Sequence, residues 1–243
     1  MSLTIDPRRQ RELVRLLDQM GLTATHLGKT YYDKLNWHLL DQALVHPSFS
    51  TAYNNDQLEF IGDSVLKLSV SLFLREQYGD KKVGELSALR AHLVSDKNLA
   101  QIAKTYDLHK YIVLSEAMRK DAQNVQAMEQ TVSANSLEAL MAAIYISLGD
   151  VKFVRKWLDL HMQNAVEMLL KIPAFGNYKL ALVELTQRHW KCLPEYRRID
   201  ADDGLFAVEV WVGDRCWGQG QGKSIKMAQQ AAAAIALEAM QAN

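Results

Sequence analysis

The sequence has no excess of charge of either sign, very little cysteine and no long apolar run. It carries 28 basic and 28 acidic residues, so its overall charge does not point to a nucleic-acid partner, which would need a local basic face. Its two cysteines, Cys192 and Cys216, lack the spacing of a metal site, and this favours a reduced cytoplasmic protein over one with a Cys192–Cys216 disulfide. The N-terminus has no apolar signal region and no run approaches the roughly 18 residues of a membrane span, so we expect no membrane partner.

The chain is nevertheless rich enough in apolar residues, at 49% of 243, to bury a substantial core. Apolar residues at helical spacing predict helices at about 7–20, 33–45, 55–78, 84–94, 96–106, 131–148 and 150–170. No strand signal occurs before residue 172, and Pro173 and Gly176 then mark a short linker. The first 172 residues therefore predict an all-α domain.

The periodicity changes beyond this linker. A helix is predicted at 178–189. In the stretch that follows, apolar residues alternate with others at 206–212, and turns at 202–204 and Gly213-Asp214 divide the stretch, so three antiparallel strands are predicted. An alanine-rich helix at 223–240 ends the chain, and its small side chains suit close packing on a sheet. Residues 173–243 therefore predict a small α+β domain with the order α-β-β-β-α.

The stretch NNDQLEFIGDSVL, residues 54–66, places carboxylates inside an apolar helix. Its apolar residues recur at helical spacing and predict a side that faces the core, formed by Leu58, Ile61, Val65 and Leu68. Glu59 and Asp63 lie four residues apart on one face, with Asp56 one turn earlier. Acidic residues on a helix usually form a solvated face. Gly62 between these acids weakens the helix, however, and predicts the close approach of another backbone.

A second helix repeats this arrangement in SANSLEALMAAIY, residues 133–145, where Glu138 precedes an apolar stretch and Asn135 lies three residues earlier. If the two helices cross there, Glu59 and Asp63 would meet Asn135 and Glu138. Carboxylate and amide oxygens are the ligands that hard cations such as Mg2+ prefer. A bound cation would convert the repulsion within such a cluster into attraction.

These two stretches resemble motifs of the ribonuclease III family. LEFIGDSVL (58–66) is similar to the family signature and NSLEALMAAIY (135–145) to its second acidic motif, while ALVHPSFS (43–50) and LSALRAHLVSDKNLA (86–100) resemble the flanking segments. The resemblance implies an all-helical endonuclease domain that works as a homodimer on double-stranded RNA and leaves 5′-phosphate and 3′-hydroxyl ends. It implies Mg2+ as the cofactor, with Mn2+ as a substitute, and no small-molecule cofactor. The signature helix is expected to form part of the dimer interface.

The resemblance also implies roles for individual residues. Glu59, Asp63 and Glu138 match metal-ligand positions, Asp63 and Glu138 are the expected catalytic residues, and Asp56 matches a supporting acid. Asn135 occupies the fourth ligand position, where most of the family has an aspartate. An amide offers one carbonyl oxygen and no charge, so we expect weaker metal binding and a better response to Mn2+.

The C-terminal module resembles a double-stranded RNA-binding domain in LPEYR (193–197) and GQGQGKSIKMAQQAAAAIAL (218–237). The resemblance implies contacts to phosphates and 2′-hydroxyls from Glu184, Gln187, Lys223, Ser224 and Lys226. Ile225 and Gln229 stand at positions that are expected to be basic, and the loop at 200–204 is acidic. We therefore expect weaker RNA binding by this module than is typical of the family.

A rival interpretation is a catalytically silent protein that binds double-stranded RNA or assists assembly and descends from the nuclease fold. Asn135 and the acidic loop favour this rival. The three acids Glu59, Asp63 and Glu138 favour the enzyme, because a silent protein would have little reason to keep them among apolar neighbours.

Overall fold

The computed structural model of the chain describes residues 5–120, 125–172, 177–200 and 204–241. The chain divides into two compact units, Met1–Val166 and Glu167–Asn243. This division falls earlier than the predicted boundary between residues 172 and 173, which stays a prediction. The predicted linker residues Pro173 and Gly176, and residues 201–203 of the acidic loop, lie outside the described residues.

The first unit is helical, as predicted. Its helices are α1 (Pro7–Gln19), α2 (Ala24–Leu27), α3 (Lys29–Tyr32), α4 (Trp37–Gln42), α5 (Asp56–Gln77), α6 (Val83–Leu93), α7 (Asp96–Thr105), α8 (Glu116–Lys120), α9 (Val125–Leu148) and α10 (Lys152–Leu170), the last of which continues past Val166. A 3-10 turn forms at Leu108–Lys110, and one isolated parallel bridge joins Val45 to Val113.

Several boundaries differ from the predicted ones. Helix α4 is shorter than the predicted 33–45, and α9 begins at Val125, before the predicted residue 131. Helices α2, α3 and α8 were not predicted, because segments of four or five residues are too short to show a periodic apolar face. Longer helices carry clearer signals: the Asp6 carboxylate accepts a hydrogen bond from the Arg8 backbone at 2.7 Å and caps α1, which ends before Gly21 with φ +71°.

The core of the first unit lies where α5 packs against α9. Leu58, Val65 and Leu66 of α5 are buried there, as are Leu137 and residues 139–144 of α9. Leu68, which was predicted to face the core, is 50% exposed. The buried positions of α5 run through 58, 62, 65, 66, 69 and 73, and Leu68 falls outside that face.

Within the described chain, one segment, Gln130–Leu148 of α9, is apolar and long enough to cross a membrane by length and composition alone. Slightly more than half of its window is buried inside the protein. The segment includes the ionisable residue Glu138. Its packing against α5 identifies it as a core helix of the first unit.

The second unit has the predicted α-β-β-β-α order. Helix α11 (Tyr178–Trp190) is followed by strands β1 (Glu195–Ile199), β2 (Phe206–Val212) and β3 (Arg215–Gly222) and by helix α12 (Ile225–Gln241). The antiparallel sheet has the order β1-β2-β3, with a bulge between Val210 and Trp211. A Cβ on Gly220 would lie 2.2 Å from the Ala232 nitrogen, so the glycines of β3 and the alanines of α12 allow helix and sheet to pack closely. Cys192 and Cys216 are both free thiols.

Candidate active site and RNA-binding surface

The acidic motifs of α5 and α9 meet at a point where the two helix backbones almost touch. A Cβ on Gly62 would lie 2.0 Å from the carbonyl oxygen of Glu138, a distance that no real side chain could adopt. The close backbone approach predicted for Gly62 is therefore confirmed. Because Glu59 and Asp63 flank Gly62 by three residues and one, the crossing places both beside Glu138.

The predicted ligand residues line one open cleft at this crossing. The cleft has a volume of about 630 Å³, and Asp56, Glu59, Asp63, Asn135 and Glu138 all contribute to its wall. Phe60, Lys67, Val94 and Asp96 complete the lining. The structure thus brings together every residue that the sequence assigned to the metal site, including the supporting acid Asp56.

Electrostatic crowding is strongest at Glu138, which is more buried than the other acids. Burial raises the pKa of Glu138 to about 7, with further contributions from the charges of Asp63, Glu59 and Asp96, while Lys67 acts in the opposite direction. The ordinary value is 4.5, so desolvation and like charges together disfavour the ionised form. A cation bound in the cleft would remove this penalty, which is the electrostatic signature expected of a metal-ligand carboxylate.

The side chain of Asn135 is engaged with Glu59. Burial and the charge of Asp56 raise the pKa of Glu59, and a hydrogen bond from the Asn135 side chain lowers it in part. The amide N–H groups of Asn135 must be the donors in this bond, because a carboxylate only accepts. Asparagine therefore stabilises the charged form of Glu59 in the metal-free cleft, where an aspartate would repel it.

Asp63 is held by a lysine on its own helix. The Nζ of Lys67 lies 2.7 Å from Oδ2 of Asp63, one turn away, and both side chains are substantially exposed. Within the described ranges, no three His, Cys, Asp or Glu side chains are close enough together to hold a metal ion as they are placed. The oxygens line the same cleft but stand apart, and the ion pair with Lys67 is one contact that Asp63 would exchange on binding a cation.

Of the four lining residues that were not assigned to the site from the sequence, two are charged: Lys67 and Asp96. Asp96 begins α7 after the cap Ser95, and its charge raises the pKa of both Glu59 and Glu138. Lys67 lies on the signature helix itself and forms the ion pair with Asp63. Helical spacing offered a signal for Lys67, which is four residues from Asp63. Asp96 lies on a different helix, and its position in the cleft depends on how α7 packs against α9.

In the second unit, the residues proposed to contact RNA lie on α11 and around the start of α12, and these two helices pack against each other. Glu184 and Gln187 are exposed and about one turn apart on α11. Lys223 and Lys226 are exposed on either side of Ser224. The hydroxyl oxygen of Ser224 accepts a hydrogen bond from the Met227 backbone at 3.3 Å, so Ser224 caps α12 and its hydroxyl hydrogen remains available as a donor.

Comparisons with known proteins agree with this arrangement. Residues 36–160 match a family model described as Ribonuclease-III-like, and residues 178–240 match one described as a double-stranded RNA binding motif. The chain is 38% identical over 239 residues to a protein of Nostoc sp. named Ribonuclease 3 2, covering 96% of this chain and 94% of that protein. It is 40% identical over 236 residues to a Synechocystis sp. protein of the same name, covering 95% and 92%.

Among solved structures, the nuclease domain of ribonuclease III from Campylobacter jejuni is 30% identical, with a TM-score of 0.48. The match covers 63% of this chain and 92% of that one. The family model spans more than half of the chain, and the named relatives align over nearly its whole length. The chain therefore belongs to the ribonuclease III family, as an endoribonuclease that carries a C-terminal double-stranded RNA-binding motif.

Proposed function

We propose that this protein is a homodimeric, Mg2+-dependent endoribonuclease that cleaves double-stranded RNA to 5′-phosphate and 3′-hydroxyl ends during RNA processing in the cytoplasm. The observation that carries the proposal is the cleft at the crossing of α5 and α9, where the acidic motifs of both helices face the same space. The alternative of a catalytically silent RNA-binding protein is not favoured, because full-length relatives are named ribonucleases.

The composition of the cleft suits a hard divalent cation. Glu59, Asp63 and Glu138 would supply carboxylate oxygens, and Asn135 its carbonyl oxygen, with Asp56 as a supporting acid. When bound, Mg2+ supplies Lewis-acid stabilisation of the phosphate and of an activated water. The raised pKa of Glu138 supports this fit. Burial and nearby negative charges disfavour its ionised form, and a neighbouring positive charge would stabilise that form.

Contacts within the protein position the proposed ligand side chains in the cleft. The contact between Gly62 and the Glu138 backbone sets the distance between the two acidic motifs. The amide of Asn135 donates a hydrogen bond to the Glu59 carboxylate, and Lys67 forms an ion pair with Asp63, which would be a ligand of the cation. Because these contacts already hold the acids close together, less side-chain freedom would be lost on binding a cation than in a site assembled from unrestrained side chains.

A homodimer is supported by apolar side chains that α5 leaves uncovered. Phe60, which follows Glu59 in the signature, is 79% exposed, and Leu68 is exposed two turns further along the helix. A second cleft of about 390 Å³, lined by Asp56, Gln57, Phe60 and Ile61, adjoins the acidic one. A large exposed aromatic side chain beside a mostly apolar cleft is typical of a surface that another chain covers.

The experiment that tests the site assignment compares Glu138→Ala and Asp63→Ala with the parent protein. Each variant is expected to lose cleavage of a long RNA duplex in Mg2+, because each removes a ligand, while duplex binding in Ca2+ remains detectable. The parent protein assayed with and without Mg2+ provides the control for metal dependence. Near-parental cleavage by either variant would contradict the assignment.

A further inference from the structure

The second unit contains a lysine whose contacts differ from those of the exposed basic residues at the start of α12. Lys179, in the first turn of α11, is half-buried. Its Nζ lies 2.5 Å from Oε1 of Gln229 and 4.7 Å from the centre of the Tyr196 ring. Its position is therefore set by a hydrogen bond to α12 and by a cation–π contact to β1.

A second glutamine joins the same two helices. The Lys179 backbone N–H donates to Oε1 of Gln230 at 3.2 Å, and Nε2 of Gln230 donates to the Asn177 side chain at 3.3 Å. Asn177 is also the cap of α11, since its side chain accepts from the Leu180 backbone. Both hydrogen-bonding ends of the Gln230 amide are thus used within the protein.

In the Gln229 amide, by contrast, only the oxygen is bound within the protein, among the described residues. A lysine ammonium can only donate, so the atom that meets it must be the carbonyl oxygen, and the NH2 group of Gln229 is directed away from Lys179. Among the residues that the structure describes, none accepts a hydrogen bond from Nε2 of Gln229. Lys179 therefore fixes the orientation of an amide with two unused donors.

These donors lie beside the basic residues at the start of α12. Gln229 follows Lys226 by three residues, so the two side chains share one side of the helix about one turn apart. An amide whose oxygen is bound to an ammonium group is polarised, which strengthens its N–H groups as donors. Such a group suits the phosphate backbone of an RNA duplex, which offers only acceptor oxygens at these positions.

We propose that Gln229, oriented by Lys179, donates a hydrogen bond to an RNA phosphate next to the one that Lys226 contacts. Lys179 is a positioning residue in this scheme, and Gln229 is the residue that touches the RNA. The inference rests on the proposed RNA-binding role of the second unit. It assigns a function to an uncharged residue at a position where the resemblance predicts a basic one.

The test measures the affinity of the full-length protein for an uncut RNA duplex of about 20 base pairs in EDTA, over a range of salt concentrations. Gln229→Ala is expected to weaken binding roughly five- to tenfold, the loss of one charge-assisted hydrogen bond. Its salt dependence should not change, since no charge is lost. Lys226→Met should instead reduce the slope by about one contact.

Variants of Lys179 test the positioning role. Lys179→Met should weaken binding about as much as Gln229→Ala, and combining the two should add little, because both remove the same oriented donor. Lys179→Arg keeps a donor for Oε1 and should bind within about twofold of the parent protein. Gln229→Glu retains the contact to Lys179, and so keeps the unit folded, yet it offers no N–H and should bind more weakly than Gln229→Ala.

Gln230→Ala is the matched control, since it removes the neighbouring glutamine whose amide is already engaged. It is expected to lower the melting temperature while leaving RNA affinity within about twofold. Parental affinity in Gln229→Ala and Gln229→Glu, with a loss in Lys226→Met, would overturn this inference and leave the proposed RNA-binding role intact. Parental affinity in Lys223→Met and Lys226→Met as well would overturn both.

Discussion

At the residue scale, the cleft differs from one lined only by acidic ligands because Asn135 contributes an uncharged amide. Its amide donates a hydrogen bond to the Glu59 carboxylate and adds no charge, so Glu59, Asp63 and Glu138 are the ionisable members of the proposed ligand set. Asp96, on the wall of the same cleft, adds a negative charge that raises the pKa of Glu138. The acids of this cleft consequently repel one another less than four clustered carboxylates would, and a cation bound there would be held by less charge.

Replacing Asn135 by aspartate should reverse both effects. We expect Asn135→Asp to lower the Mg2+ concentration for half-maximal cleavage by about tenfold, because ligand charge tunes the affinity of such sites. In EDTA the same variant should melt at a lower temperature than the parent protein, since a fourth carboxylate joins the cluster unpaired. The parent protein should respond better to Mn2+ than to Mg2+ at equal concentration. An unchanged Mg2+ titration would show that residue 135 is not a ligand.

The titration of Glu138 predicts how stability depends on pH. Burial, followed by the charges of Asp63 and Glu59, raises its pKa from 4.5 to about 7, and the pKa of Glu59 is raised as well. A carboxyl group whose pKa is raised by folding contributes stability at low pH, and this contribution is lost as pH rises through the folded value. We therefore expect the melting temperature of the metal-free first unit to fall between about pH 5 and pH 7.5.

Calorimetry of the full-length protein in EDTA measures this effect. Glu138→Gln should flatten the pH dependence, because its amide has no proton to lose, and it should raise the melting temperature near pH 7.5. Glu238→Gln, at an exposed position of α12, is the matched control and should leave the slope as it is in the parent protein. A Glu138→Gln profile that still tracks the parent would mean that other groups account for the pH dependence.

At the element scale, the site depends on how closely α5 and α9 approach. The absent side chain of Gly62 allows the backbone of Glu138 to pack directly on α5, and this contact brings the two acidic motifs to one cleft. If the two helices moved apart, the proposed ligands on α5 would lie farther from those on α9. The glycine is thus part of the site although it contributes no functional group.

Gly62→Ala should therefore cost both stability and activity. Its Cβ would lie 2.0 Å from the Glu138 oxygen and 2.4 Å from the carbonyl carbon, so the helices must separate. We expect a loss of about 2–4 kcal/mol in the free energy of unfolding and a large fall in cleavage rate. Gly84→Ala in α6, where a Cβ would meet no atom within 4 Å, is the control. That substitution should be neutral or stabilising by up to about 1 kcal/mol, and a similar result for Gly62→Ala would contradict this role.

At the scale of the whole molecule, the proposed function assigns catalysis to the first unit and most of the RNA binding to the second. The first unit holds the acidic cleft and the exposed Phe60, and the second holds exposed Lys223 and Lys226 around the start of α12. With 28 basic and 28 acidic residues, the protein has no net positive charge to attract RNA, so the proposed RNA binding depends on local basic residues.

Residues 1–172 alone are therefore expected to dimerise and to cleave duplex RNA only at low salt. Sedimentation analysis measures the first property, and cleavage across a salt series measures the second. Loss of the second unit removes its phosphate contacts, so the slope of log affinity against log salt should become shallower. If truncation left affinity and slope unchanged, the second unit would not contribute to RNA binding.

The success of sequence-based prediction varied with the length and regularity of each segment. The helical first unit, the α-β-β-β-α order and the family were all predicted correctly, because long periodic helices and extended motifs carry these signals. Helices α2, α3 and α8 were missed because they are too short to show a pattern. The core role predicted for Leu68 was wrong, since apolar character alone does not distinguish a core position from an exposed one on a helix that has apolar residues on several faces.

What the sequence determined by itself was the set of elements and the chemistry of their side chains. Helical spacing placed Glu59 beside Asp63, and a glycine between them already indicated that another backbone lies close. Only the tertiary structure decided which other groups share that cleft: Asp96 arrives on α7, and Lys179 of α11 meets Gln229 of α12. The physical reason is that periodicity describes one helix at a time, whereas burial, charge–charge coupling and the orientation of an amide arise between elements whose relative positions are set by packing.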